Sequence, residues 1–315
     1  MTLYDLPAPA KLNLFLHIVG RRADGYHLLE SVFRLISLAD SLTIDLRRDG
    51  VISRDSTLGG QIADSDDLVV RAALALQKSA GCSLGAHISV TKRIPVGAGL
   101  GGGSSDAATV LIALNRLWRT GLDRRALAQI ALTLGADVPF FVQGQNAFVQ
   151  GIGEIINPVE VSDCSYLVFK PSVHVPTAAV FKSPDLTRNS ESVKISDFSE
   201  RAFFIAPGSC QHTENVAAGF GKNDLEPVVG QMYPQVDAAM RWVARQGLGV
   251  RLSGSGSCFF AEFVSPDAAE LALVSLLGKI QSDCSEVDGG IYSVIEQFSV
   301  CDSLPEHPLR HWTKD

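Results

Sequence analysis

The chain has 315 residues, 46% of them hydrophobic and 19% charged, enough for a sizeable core and far from a disordered composition. Its net charge of −7 offers no global basic field for nucleic acid, and no apolar run reaches the roughly 18 residues of a membrane span. Six cysteines (82, 164, 210, 258, 284, 301) form no Cys-x-x-Cys pair, and residues 1–5 show no leader pattern, so reduced thiols and a cytoplasmic location are expected.

The first predicted strand covers residues 10–18. Alternation puts Leu12, Leu14, Leu16 and Ile18 on one face and Lys11, Asn13, Phe15 and His17 on the other. Lys11 and Asn13 thus stand side by side near its start, which suits a polar site; a lysine on a solvated face is the plainer alternative. The turn Asp24-Gly25 follows, and residues 26–33 resume an apolar pattern. Residues 40–48 and 51–54 read as short strands, and residues 66–80 as an amphipathic helix introduced by Asp66 or Asp67.

Residues 87–91 alternate as a half-buried strand does and lead into Ile94-Pro-Val-Gly-Ala-Gly-Leu-Gly-Gly-Gly-Ser-Ser-Asp106. Residues 107–118 then read as a buried helix, with Ser104 or Ser105 placed as its N-cap. In a strand, glycine loop and helix start of this kind, the backbone can approach a ligand closely and the first helical amides favour an anion. The residues expected to cradle phosphate are Pro95, Val96, Gly97, Ala98, Gly99, Leu100, Gly101, Gly102, Gly103, Ser104 and Ser105. Gly97-Ala-Gly99-Leu-Gly101-Gly102 also fits G-x-G-x-x-G, but that fingerprint needs a second strand ending in an acid about 20 residues on. Here a second helix starts at once, with Asp123 as N-cap. The Walker form fails too, since no Gly-Lys-Ser/Thr closes the loop. A bare turn explains one or two glycines, not five and a serine pair.

The second helix is expected over residues 123–134, with Gly135 as C-cap. Asp137 is then bracketed by Gly135 and Pro139 in apolar company, and reads equally as a turn cap or a catalytic acid. Residues 151–154 form a turn, 158–165 connect the two halves, and 166–171 begin the second with a strand. Thr177 is expected to start a capped helix reaching Phe181. Residues 187–222 are polar and aperiodic, as in a variable surface excursion. Asn223-Asp-Leu-Glu226-Pro227 opens a helix expected to run through Trp242. A second glycine loop, Gly254-Ser255-Gly256, joins two strands and reads either as a site element or as a hairpin turn. A helix over 266–277, a strand over 289–298 and a loosely ordered tail from Asp302 complete the plan.

Residues 95–109 resemble the central motif of the GHMP kinases, the small-molecule kinases named for galactose, homoserine, mevalonate and phosphomevalonate. The strand near Pro9 and the Gly254-Ser255-Gly256 loop are similar to the family's first and third motifs. Pro9-Ala-Lys11-Leu-Asn13-Leu, Arg22-Ala-Asp-Gly-Tyr-His27, Gly135-Ala-Asp-Val-Pro139 and Asn223-Asp-Leu-Glu226 give a narrower match. They resemble the branch that phosphorylates cytidyl diphosphate methylerythritol in the non-mevalonate route to isoprenoids. The resemblance implies an α+β fold of two domains with the active site in the cleft between them. A ribosomal S5 domain 2-like nucleotide domain would span 1–160, a ferredoxin-like substrate-covering domain 161–301, and a tail 302–315. It further implies ATP and Mg²⁺ as cofactors and a small-molecule substrate, with no nucleic-acid or membrane partner and a monomer or weak homodimer.

Asp137 would take the proton of the acceptor hydroxyl and Lys11 would hold that hydroxyl, while Asn13, Tyr26, His27, Thr177 and Phe181 would bind substrate. Ser105, or Ser104, is the candidate hydroxyl near the metal. Two alternatives remain open. A mevalonate- or homoserine-type kinase would share the loop but lack the Asp-Gly-Tyr-His turn and Phe181. A silent sugar-nucleotide sensor on the same fold would be favoured had Lys11 or Asp137 been absent.

Overall fold

The computed structural model describes residues 1–55, 67–193, 221–283 and 294–315, with the backbone alone for 281–283. Strands β1 (Thr2–Arg21) and β2 (His27–Arg47) make a long hairpin closed by the Asp24-Gly25 turn. The opposite edge of β2 pairs with β4 (Gly85–Thr91) over residues 41–47 and with β5 (Ala147–Gly151) over residues 29–33. β3 (Ile52–Arg54) lies parallel to β4, and β6 (Ile155–Pro158) completes the sheet beyond β5. The separate strands expected at 26–33 and 40–48 are therefore one, because the residues between them keep pairing with β1.

The second sheet contains β7 (Ser165–Pro171), β8 (Val250–Leu252), β9 (Phe259–Phe263) and β10 (Ile295–Asp302), in the order β10-β7-β9-β8. Numbered within that sheet the order is fourth, first, third, second, the ferredoxin-like arrangement expected. Of the last strand expected over 289–298, residues 289–293 lie outside the described residues, as does most of the excursion at 187–222.

Helices α1 (Leu68–Ala80), α2 (Gly102–Leu117), α3 (Arg124–Leu132) and α4 (Val138–Gln143) share one core with the first sheet. Helices α5 (Thr177–Lys182), α6 (Glu226–Met232), α7 (Pro234–Arg245) and α8 (Pro266–Asp283) accompany the second sheet. Strand alternation builds two interfaces from this second sheet. Leu167, Phe169, Phe259 and Ala261 point into its helical core, whereas Tyr166, Val168 and Phe260 join a third cluster with Leu12, Leu14 and Phe15 of the first sheet. Ile94, Ala98 and Leu100 of the glycine loop belong to that third cluster, so the loop is clamped where the two sheets meet.

Several local expectations change for physical reasons. A register shift between Asn13 and Leu16 breaks the alternation of β1, so Phe15 joins the cluster of Leu12 and Leu14, while Leu16 and Ile18 enter the second core. Asp67 and Asp123 cap α1 and α3, accepting from Val69 N at 2.7 Å and Ala126 N at 2.8 Å; Asp66 is outside the described residues. Neither Ser104 nor Ser105 caps α2, which begins earlier, with left-handed Gly101 as N-cap. Helix α3 stops at Thr133 before Gly135 is reached. Thr177 is the first residue of α5, and Pro176 is its N-cap. The helix expected from Asn223 to Trp242 is two helices, split at Tyr233 by Pro234, whose ring tolerates only a first helical turn.

The tail is not loose. Arg124, at the start of α3, buries its guanidinium against the carbonyls of Val142, Arg310 and Thr313 at 3.1–3.2 Å. Asn146 holds Leu304 O at 2.9 Å, and His307 N donates to Gly144 O at 2.8 Å. The chain thus returns from β10 to the first sheet and straps the C-terminal end of α4.

Candidate active site

A cavity of about 1180 Å³ lies where the glycine loop, β1, α4, the Asp24-Gly25 turn and α5 converge. Of the residues expected at a site, all line it except Leu100, Ser105 and Gly256. Leu100 is core, 1% exposed. The Ser105 hydroxyl is fully buried without a partner, so of the two serines it is Ser104 that faces the cavity; this corrects the placement of a metal near Ser105.

The loop is shaped by backbone approach. Gly99 takes φ 80°, and a Cβ on it would lie 2.1 Å from Ser253 O. Only glycine fits there. Ser253 Oγ donates to Gly99 O at 3.2 Å, Cys258 N to Ala98 O at 3.1 Å, and Lys11 N to Leu100 O at 3.0 Å. The second glycine loop is therefore the wall on which the first is built. Asn223 Nδ2 fixes that wall by donating to Leu252 O at 2.9 Å and Gly254 O at 2.7 Å, and Glu226 accepts from Leu252 N at 3.0 Å. Thr177 Oγ1 reaches Ser255 Oγ at 2.7 Å from the other side. The first intrahelical bond of α2 is Ser105 N to Gly101 O at 2.9 Å, which leaves the amides of Gly102, Gly103 and Ser104 for a ligand.

Beside the loop, Asp137 sits at the N-cap position of α4 yet makes no capping hydrogen bond. Its carboxylate instead lies 3.6 Å from Lys11 Nζ, so the reading of Asp137 as a turn cap fails. Lys11 is 4% exposed; its ammonium donates to Asn13 Oδ1 at 2.6 Å and lies 4.5 Å from the centre of the Phe33 ring. Asn13 in turn donates to Ser31 Oγ at 2.9 Å, a chain that holds Lys11 in one orientation. Burial pushes the Lys11 ammonium below its ordinary value, with Asp137 opposing. An aspartate within reach of a desolvated lysine, next to an anion-binding helix start, can move a proton beside a phosphoryl group.

Two further regions of the cavity bring in residues that the sequence did not single out, Lys92 with Asp40 and Asp106 in one and Arg188 in the other. Lys92 joins Asp40 and Asp106, at 2.8 Å from Asp106, and lines the cavity close to Gly102. Burial raises Asp106 to about 7, with Lys92 opposing and Asp40 adding. Asp40 also accepts from Arg93 N at 2.6 Å and Ile94 N at 2.8 Å, so one buried carboxylate sets the entry to the loop. At the other side, His27 packs on Phe181 with ring centres 5.4 Å apart, Tyr26 is 61% exposed, and Arg188 reaches His27. An isolated aspartate on β2 and an arginine in an aperiodic stretch give no sequence signal.

Fold, loop and Lys–Asp pair define a small-molecule kinase. Family models agree: "GHMP kinases N terminal domain" matches residues 67–145 and "GHMP kinases C terminal" matches residues 212–279. A 4-diphosphocytidyl-2-C-methyl-D-erythritol kinase of Bordetella pertussis is 53% identical over 312 residues, covering 99% of both chains. One from Thiobacillus denitrificans is 48% identical over 300 residues, covering 95% of this chain and 98% of its own. A crystal structure of 4-(cytidine 5'-diphospho)-2C-methyl-D-erythritol kinase superposes with TM-score 0.72 at 31% identity, covering 96% of this chain and 99% of that one. The chain belongs to the GHMP kinases, ATP-dependent phosphotransferases, and within them to the family of 4-diphosphocytidyl-2-C-methyl-D-erythritol kinases. A homoserine kinase from Cytophaga hutchinsonii, at 18% identity and TM-score 0.65, shares the fold. Among the described residues no helix is long and apolar enough to cross a membrane.

Proposed function

We propose that the chain transfers the γ-phosphoryl group of ATP to the 2-hydroxyl of 4-diphosphocytidyl-2-C-methyl-D-erythritol. The observation that carries this reading is the Lys11–Asp137 pair, set between the free amides of α2 and the His27–Phe181 pocket within one cavity. Phosphoryl transfer asks for alignment and for charge stabilisation where charge develops. The amides of Gly102, Gly103 and Ser104 hold the nucleotide's phosphates. Asp137 accepts the proton of the attacking hydroxyl, and Lys11 holds that oxygen and damps its growing charge. Asn13 keeps the ammonium in place.

A magnesium ion fits this arrangement as a passenger of the nucleotide. Among the described residues no three His, Cys, Asp or Glu side chains are grouped to hold a metal. Mg²⁺ typically takes one or two protein oxygens together with substrate phosphates. Ser104 offers a hydroxyl on the cavity wall. Such an ion neutralises charge on the transferred group.

The acceptor would lay its base between Phe181 and Tyr26, with His27 at the edge of that base. The two-domain division, with the nucleotide on the first sheet's side and the acceptor covered from the second, follows from this reading. A panel of acceptors tests it: with Mg²⁺-ATP, the cytidyl compound should be phosphorylated and mevalonate, homoserine and free methylerythritol phosphate should not. Efficient use of any of those three, with the cytidyl compound inert, would sink the assignment.

A further inference from the structure

Arg188 lies in the stretch that carries no sequence periodicity, yet it is held firmly. Its segment is tied to two buried carboxylates. Asp224 Oδ2 accepts from Ser190 Oγ at 2.6 Å, and Glu30 accepts from Ser192 Oγ at 2.6 Å and from Val193 N at 2.7 Å. Ser190 N also donates to Ile18 O at 3.1 Å.

The guanidinium is folded back on the same segment. Nη1 donates to Pro184 O at 3.2 Å and Leu186 O at 3.0 Å, Nη2 donates to Ser183 O at 2.5 Å, and Nε donates to His27 Nε2 at 3.2 Å. A guanidinium has five N–H donors and no acceptor. Four are engaged within the protein, so Arg188 is less an anion ligand than a brace.

That brace has a chemical consequence. Because Arg188 Nε can only donate, His27 Nε2 must accept and carries no proton. The proton of the imidazole then sits on Nδ1. The ring is backed by Phe181, so its orientation is fixed as well as its tautomer.

We infer that Arg188 is a specificity-setting residue that holds His27 as the Nδ1–H tautomer, so that the acceptor pocket presents a ring donor to the substrate's base. This rests on the reading that His27 faces the base of a cytidyl acceptor. Cytosine offers its unprotonated N3 to such a donor. Uracil places N3–H there, and donor would meet donor, a mismatch that a desolvated pocket punishes.

The charged groups around the ring support the same state. Arg188 and Arg21 are its cationic neighbours, Lys182 lines the same cavity, and Asp24 is engaged by Arg22 Nη2 at 2.7 Å. Burial, then Arg188, then Arg21 push the imidazole below its ordinary value.

Two-bond ¹H–¹⁵N spectra of the ligand-free full chain, labelled at the histidine nitrogens and assigned with His27→Gln, read this state directly. Wild-type His27 should show a protonated Nδ1 and titrate below the ordinary histidine range. In Arg188→Ala the titration should move up, with burial and Arg21 still holding it below the ordinary value, and the single tautomer should be lost. KM for the cytidyl acceptor should then rise severalfold at pH 8, where the neutral ring no longer keeps its proton on Nδ1. KM for ATP should not follow. Arg188→Lys, which keeps the charge without the fork, should release the tautomer while retaining part of the depressed titration. A wild-type spectrum with the proton on Nε2 overturns the inference without any variant, and so does an Arg188→Ala spectrum that superimposes on it. Since the tautomer is read without ligand, this result stands apart from the identity of the acceptor, which the acceptor panel decides.

Discussion

The two ends of the cavity are built in different ways. The phosphate end comes from one continuous stretch, Ile94 to Ser104, whose partners are largely main-chain atoms: Leu100 O with Lys11 N, Ala98 O with Cys258 N, Gly101 O with Ser105 N. The acceptor end is assembled from side chains on distant segments, Tyr26 and His27 on one hairpin, Phe181 on α5, and Arg188 at a separation of 161 residues from His27. Backbone amides recognise any phosphate, whereas side chains meeting across the cleft can recognise one base. Lys11 and Asp137 stand at the junction, which is where the chemistry must occur if each end binds its own half of the reaction.

The sharpest way to break this comparison is to disarm the junction and leave both ends intact. Asp137→Asn should lower kcat by about 10²–10⁴ while the Kd for ATP stays near wild type. A kcat within roughly tenfold of wild type moves the base elsewhere.

A second test concerns the scaffold of the phosphate end. His307, buried under the tail strap, accepts from Leu309 N at 3.1 Å through Nδ1, and burial followed by Arg124 lowers it to about 3. Its unfolded value is about 6.5, so between those limits the unfolded state binds more protons and stability rises with pH. Acidification from about pH 6.5 to pH 3 should therefore remove stability on the order of 3–5 kcal/mol through this one group. Denaturant unfolding across that range checks it; a His307→Gln variant whose pH slope matches wild type would refute the assignment.

Ligand-induced thermal shifts separate the readings of the glycine loop. Mg²⁺-ATP at 100-fold above its Kd should stabilise the chain by about 2.7 kcal/mol, and NADH should leave it unchanged. The reverse would restore the dinucleotide reading of Gly97 to Gly102.

Smaller effects are expected at the acceptor end. Phe181→Ala should raise KM for the cytidyl acceptor roughly ten- to a hundredfold, the range of one lost base stack. Tyr26→Ala should do less, because that ring is 61% exposed and holds less of the pocket closed. Equal losses would place the base against Tyr26 instead.

The same contrast explains what the sequence disclosed. Five glycines between a strand and a helix start pointed to an anion site, and of residues 95–105 all but Leu100 and Ser105 line the cavity. Lys11 and Asn13 were legible as neighbours because the alternation of β1 holds up to Asn13. It failed beyond, since a register shift leaves no trace in hydrophobicity. Asp137 was half legible: the Gly135 and Pro139 brackets excluded a helix interior, but only the missing cap hydrogen bond and the proximity to Lys11 set the cap reading aside. Ser105 was misjudged because a serine in a helix start reads the same whether it faces the cavity or the core. Asp40, Asn223 and Arg188 work through contacts with residues far along the chain, and the tail binds α4 largely through backbone carbonyls that composition does not reveal. Tyr26, His27, Thr177 and Phe181 were named through the family resemblance and not by any local pattern, and they line the same cavity.

The measurement that bears most directly on the separation of the two ends is a pair of KM values in two variants. A Cβ on Gly102 would press on Ile94 at 3.0 Å and approach Lys92 Nζ at 3.4 Å, crowding the phosphate end without a forbidden backbone angle. Gly102→Ala should raise KM for ATP and leave KM for the cytidyl acceptor unchanged; Phe181→Ala should do the opposite. If either variant shifts both KM values in parallel, the ends are not independent, and the placement of nucleotide and acceptor on opposite sides of Lys11 and Asp137 is wrong.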